Sequence, residues 1–238
     1  MAQTVIHKAD TRGVADLGWL KSYQSFSFGG YYNPDRINFG ALRVLNDDIV
    51  KGGMGFGEHP HDNMEIISIP LEGELQHKDS MGNTASIKAG EIQVMSAGTG
   101  IYHSEYNSDP KNPAKFLQIW LFPNKRNVIP RYDQILLNNN NERNKFNQIL
   151  SPNAADAGVW VYQDAWFNLA HFDIGTKKNY RFNKKENGVY VFVLKGEVEI
   201  NGQLLATRDG LGIWDTDSFE VKAITNSDFL LMEVPMTF

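Results

Sequence analysis

Twice in this chain an apolar run closes on the same turn signal. "PLEGEL" (Pro70 to Leu75) and "VLKGEV" (Val193 to Val198) share L-x-G-E followed by an apolar residue, and Leu71 and Leu194 stand 123 positions apart (194 − 71). "KAGEIQVM" around Gly90 recurs loosely as "RDGLGIWD" around Gly210, an offset of 120 (210 − 90). Self-similarity at a nearly constant spacing implies one supersecondary plan used twice. The 238 residues exceed the usual ~100–200 of a single domain, so two related halves or one large β domain both accommodate the length. The echo favours two halves.

The plan is a β plan. "EIISIPLEGELQHKD", "AKFLQIWLFP", "VYVFVLKGEVEI" and "DFLLMEVPM" are rich in β-branched and aromatic residues and are bounded by turn formers. "SMGNTA" and "EINGQLL" carry Gly-Asn and Asn-Gly where a hairpin tip requires positive φ. Long amphipathic helices are scarce, so the expectation is an all-β chain with strands at the spacing of a sandwich or barrel. One segment departs from this pattern. "PRYDQILLNNNNERNKFNQILSPNAADAG" (Pro130 to Gly158) is polar, Asn-rich and poor in β signal, and the run Asn138 to Asn141 reads as an exposed loop. The domain junction is therefore expected here, dividing residues 1–133 from 134–238.

Composition narrows the function. Hydrophobic residues at 42% and aromatics at 12% can fill a sizeable core. With no Cys, disulfides, thiolate nucleophiles, zinc fingers and iron–sulfur clusters are excluded, so any metal must be held by imidazole nitrogen and carboxylate oxygen. A net charge of −5 without a long basic run argues against nucleic acid and against an anionic membrane surface as partners. There is no run of ~18 apolar residues to span a bilayer, and the start "MAQTVIHKADTRGV" lacks the apolar core of a secretory signal. A soluble cytoplasmic protein is expected.

The histidines carry the chemistry. Side chains two apart on a strand share a face, so His59 and His61 point one way, and Glu65 joins them if the strand continues unbroken. In "MSAGTGIYHSEYN", His103 and Glu105 form a second such pair. The 42 positions between the pairs (103 − 61) hold about four short strands, enough for a curled sheet to bring them face to face. Three imidazoles and a carboxylate suit one divalent transition metal, Fe or Cu, with Mn, Ni and Zn also tolerated. Four protein ligands leave positions open for oxygen or a chelating substrate. His7, His77 and His171 read as surface or satisfied core residues.

These motifs resemble a known family. G-x5-H-x-H-x3-E-x7-G, from Gly53 to Gly73, is similar to the first cupin motif, with a final spacer one residue longer than usual. "GEIQVMSAGTGIYHSEYN" resembles the second motif in its pirin form, and "LGWLKSYQSFSFGGYYNPDRINFGALRVLNDDIV" (Leu17 to Val50) resembles the opening of pirin-family proteins. The resemblance is strongest to bacterial pirin-like quercetin dioxygenases. It implies two tandem cupin barrels (double-stranded β-helix, jelly-roll) with a metal in the N-terminal one only. Strand parity leaves Glu65 and Glu105 both open as fourth ligand; the resemblance favours His59, His61, His103 and Glu105, with Glu65 behind them orienting an imidazole.

The internal echo speaks to the same point. An offset of 123 carries His59, His61 and Glu65 onto Phe182, Lys184 and Gly188, and an offset of 120 carries His103 and Glu105 onto Ala223 and Thr225. No ligand type survives, so a metal-free second barrel is expected. The implied activity is dioxygenation of a flavonol such as quercetin, with Glu105 as the base and loss of carbon monoxide. Phe56, Met54 and Tyr102 flank the ligand motifs and are candidates for an apolar slot. Two rivals stay open: a metal-sensing pirin that acts through a protein partner, and a cupin isomerase for a small keto acid or sugar. The expected assembly is a monomer or weak oligomer.

Overall fold

The computed structural model describes residues 2–137 and 142–237. Among these the chain forms 22 strands and one 3-10 turn, Ala9–Thr11, with no α-helix. Among the described residues no helix is long and apolar enough to cross a membrane. The all-β expectation holds, and so does the repeated plan.

Each half is a seven-stranded sheet facing a four-stranded one. The first large sheet runs, edge to edge, Arg131–Leu136, Glu91–Ser96, Glu65–Glu72, Ala114–Leu121, Leu42–Val50, Leu20–Gln24, Gly13–Asp16. Its small partner runs Gly55–His61, Ile101–Tyr106, Glu74–Asp79, Thr84–Lys88. The second large sheet runs Gln3–His7, Gly210–Trp214, Asn187–Lys195, Ser227–Pro235, Trp166–Phe172, Phe146–Ser151, Val159–Trp160. Its partner runs Lys177–Arg181, Ser218–Ala223, Val198–Ile200, Gln203–Leu205. The inner strands of the large sheets and all four strands of the small sheets follow the same order in both halves; the edges differ, since Gln3–His7 precedes the first half and Val159–Trp160 pairs parallel to its neighbour. The echoed glycines Gly73 and Gly196 both hold left-handed φ, 74° and 80°, at the turn after the equivalent strand, a backbone that side chains resist.

The segment read as poor in β structure contains two strands, Arg131–Leu136 and Phe146–Ser151. Tertiary pairing overrides their polar composition. Arg131–Leu136 is hydrogen-bonded along Glu91–Ser96, and Ile135, Leu137, Ile149 and Leu150 pack into the central core. The Asn138 to Asn141 run lies outside the described residues.

Alternation on the strands sorts side chains into three interiors. One face of each large sheet meets the other: Leu45, Ile67, Ile69, Val94, Leu117 and Ile119 pack with Phe167, Tyr190, Phe192, Leu230, Met232 and Val234 in one continuous core. The opposite face of the second large sheet closes an apolar barrel around Val189, Val191, Val193, Phe219, Phe229 and Leu231. The first barrel differs. Its interior has an apolar base (Val50, Leu75, Phe116) and an apolar patch of Ile66, Met95 and Ile101. It also buries Asn46, Asp48, Ser68, His77, His103, Glu105 and Gln118. Polar groups inside a barrel need partners or a ligand.

Candidate metal centre

All four expected ligands sit on two adjacent strands. Gly55–His61 and Ile101–Tyr106 pair antiparallel with His59 directly opposite His103, and a register shift falls between His103 and Glu105. The ring centroids of His59, His61 and His103 are 4.4–4.9 Å apart. Their donor atoms lie within 4.8 Å of one another. Glu105 belongs to an overlapping group, with its oxygen, a His103 nitrogen and a His77 nitrogen within the same span. His103 is shared by both groups.

His77 was set aside in the sequence as a satisfied core residue. It is fully buried, lies opposite Glu105 on the neighbouring strand, and has its ring 5.3 Å from that of His103. Its Nε2 meets Asp79 Oδ2 at 3.2 Å, while its Nδ1 has no partner. The signal was present: "HKD" has the same His-x-carboxylate spacing as "HSE".

Glu65 does not stand behind the imidazoles. Its Oε2 accepts a hydrogen bond from Ser96 Oγ at 2.7 Å, and burial pushes its carboxyl up to about 7. Parity from His59 fails because the strand breaks. Asn63 adopts φ 44° between Gly55–His61 in the small sheet and Glu65–Glu72 in the large one.

The donor set fits a divalent first-row ion. His59 Nδ1 lies 2.7 Å from the Gly57 carbonyl, so it carries the proton and leaves Nε2 as the free lone pair. His61 Nε2 and both nitrogens of His103 are buried without a partner, a costly state unless something binds them. Burial, reinforced by the neighbouring imidazoles, depresses His61 to about 4 and His103 to about 2, so both are held neutral, the form that ligates. Glu105 is buried; it accepts hydrogen bonds from Ser68 Oγ (3.2 Å) and Gln118 Nε2 (2.9 Å). Desolvation pushes it up to about 7 against those two bonds.

These residues line a cavity of about 210 Å³ whose remaining walls are Phe28, Asn46, Asp48, Phe56, Ile66, Gln118 and Trp120. Phe56 is there as expected from the sequence; Met54 and Tyr102 are exposed and do not line it. Tyr102 neighbours His103 on the strand and so faces the other way. The missing walls come from the large sheet and from the segment before it. Trp120 packs edge-on against both Phe28 and His61.

Comparison with known proteins agrees with this construction. The pirin family model matches residues 6–121, and the model for a quercetinase C-terminal cupin domain matches 148–234. A quercetin 2,3-dioxygenase of Escherichia coli K12 is 42% identical over 234 residues, spanning 97% of this chain and 98% of that protein. A pirin-like protein of Caulobacter vibrioides is 37% identical over 225 residues, 94% of this chain and 96% of its own. The solved structure of YhhW from E. coli superposes with a TM-score of 0.94 at 40% identity, covering 99% of this chain and all of that one. The same bacterial pirin in complex with nickel(II) superposes at 0.93, covering 98% and 99%. The chain therefore belongs to the pirin family of two-domain cupin proteins.

Proposed function

We propose that this pirin is a metal-dependent dioxygenase that cleaves flavonols such as quercetin with O2. The observation that carries the reading is the convergence of His59, His61 and His103 beside Glu105, with His61 Nε2 and both His103 nitrogens buried and unpartnered, in a cavity walled by aromatic rings. The relatives named quercetin 2,3-dioxygenase support the substrate class, and the nickel(II) complex of one pirin supports a divalent ion. We assign His59, His61, His103 and Glu105 as the ligands. The metal belongs to the N-terminal domain, and the C-terminal domain has none of its own.

When bound, the metal would supply Lewis-acid stabilisation of an enolate-like substrate oxygen. The chain supplies the rest. Glu105, beside the imidazoles and lining the cavity, is placed to take the proton from the substrate enol hydroxyl. Ser68 Oγ and Gln118 Nε2 donate to its two oxygens and fix the carboxylate in place. Phe28, Phe56 and Trp120 orient a planar ring and exclude water.

The test is metal analysis of protein purified without added metal, followed by anaerobic flavonol binding and addition of oxygen with carbon monoxide measured. Stoichiometric carbon monoxide is expected. Bound redox-active metal with no carbon monoxide would sink the dioxygenase reading and favour a regulatory role.

A further inference from the structure

The first-barrel cavity contains polar atoms that neither a metal nor Glu105 uses. Asn46 and Asp48 sit two apart on Leu42–Val50, on the strand face that looks into the barrel, and both line the cavity. They are 2% and 3% exposed, and Asn46 Oδ1 and Asp48 Oδ1 have no hydrogen-bond partner. On the neighbouring strand of the same sheet, Ala114–Leu121, the Trp120 indole Nε1 is also buried without a partner. The rest of this wall is aromatic, from Phe28 and Phe56. Two buried acceptors and one buried donor left unmet would each be destabilising. An interior that keeps them is built for something that pairs with them.

Their chemistry restricts the occupant. A hydroxyl donates one hydrogen, so two separate acceptors need at least two hydroxyls, whereas the indole N–H needs an oxygen lone pair, which either hydroxyl also offers. Flat aromatic walls select a flat aromatic carrier. We infer that Asn46, Asp48 and Trp120 form a recognition wall for an arene bearing two or more phenolic hydroxyls, with Asn46 and Asp48 accepting from the hydroxyls and Trp120 donating to one of their oxygens. This deepens the flavonol reading: the wall reads hydroxyls remote from the oxygens that would meet the metal.

The experiment compares quercetin with 3-hydroxyflavone, which shares the chelating oxygens and lacks the other hydroxyls. Binding is measured without oxygen on metal-loaded protein. Wild type is expected to prefer quercetin by about tenfold to a hundredfold, because a site built to bond hydroxyls penalises the analogue without them. Asp48→Leu and Asn46→Leu are each expected to bring that ratio close to one, while Asp48→Asn, which keeps an oxygen acceptor, retains most of it. Melting temperature and metal content of each variant report whether the barrel stays intact. A ratio unchanged in both Leu variants overturns the inference.

If wild type binds neither flavonol, the flavonol reading falls and the wall is judged on smaller probes. Resorcinol is then compared with 1,3-dimethoxybenzene by ligand-observed NMR on the same protein. Resorcinol bound, its dimethyl ether unbound, and the difference lost in Asp48→Leu sustain the inference without flavonols. Equal binding of the two, or binding of neither, overturns it.

Discussion

At the scale of single residues, the site is defined by nitrogens that have nothing else to do. His61 Nε2 is buried and unpartnered, and its depressed proton affinity keeps it neutral. On the metal reading, His61→Ala removes one of three imidazoles, so purified protein should lose at least tenfold in metal affinity and lose turnover while its β-rich circular dichroism persists. Stoichiometric metal with full flavonol oxygenation in that variant would remove His61 from the site. Glu105→Gln keeps the shape and one of the two acceptor oxygens that Ser68 and Gln118 meet but removes the base, so turnover should fall by about 10²–10⁴ with a smaller change in metal content. Equal loss of both would mean that Glu105 acts mainly as a ligand and is not the base. The spacing of the two His pairs made these residues visible in the sequence, since two-residue spacing is a property of one strand. The closeness of His77 to Glu105 was not visible there because it comes from cross-strand register. Asn46, Asp48, Phe28 and Trp120 were missed because they enter from the large sheet and the segment leading into it, beyond the reach of either motif.

At the scale of strands, the metal centre depends on how closely Gly55–His61 and Ile101–Tyr106 approach. A Cβ on Gly55 would lie 2.2 Å from the Glu105 carbonyl oxygen and 2.5 Å from Tyr106 Cα, both backbone atoms that no rotamer can move. Gly55→Ala must therefore push the two strands apart at the bulge that aims His103 and Glu105. The expected result is a loss of about 1–3 kcal/mol in stability together with weaker metal binding, read by denaturant titration and metal competition. A variant with wild-type metal affinity would show that the bulge is not what aims the ligands. The strand scale also explains why parity from His59 to Glu65 misled. Alternation holds only within one strand, and the turn at Asn63 hands the chain from the small sheet to the large one. The composition of Pro130 to Gly158 misled for a related reason: Arg131–Leu136 is an edge strand, whose polar side chains alternate with the few apolar ones that reach the core.

At the scale of the whole molecule, the repeat explains the architecture, but the two halves are not independent. The N-terminal strand Gln3–His7 completes the second large sheet by pairing with Gly210–Trp214. Asp47 of the first large sheet receives Arg12 Nη1 at 3.2 Å and Arg208 Nε at 3.1 Å. His7 lies at this junction, 6% exposed, with Nδ1 2.9 Å from Tyr190 Oη and its ring packed edge-on against Phe26. Burial, and secondarily the charge of Arg36, depresses His7 from 6.5 to about 4. Between those two pH values the unfolded chain takes up a proton that the folded chain refuses, so unfolding free energy falls as pH falls through that window. Below about 4 both states are protonated and the loss is complete, on the order of 3 kcal/mol. Asp48, Glu65 and Glu105, whose carboxyls are raised by burial, act in the opposite direction as pH rises. The wild-type profile alone is therefore a composite, and only a difference isolates His7. His7→Gln keeps a hydrogen-bonding partner for Tyr190 and cannot titrate. It should be less stable than wild type at pH 8, where imidazole packing counts and its charge does not, and the gap should close by about 2 kcal/mol at pH 5. A gap that stays constant from pH 8 to pH 5 in denaturant titrations would mean that the junction admits a charged imidazole, and that the two barrels part locally at His7 before the molecule unfolds.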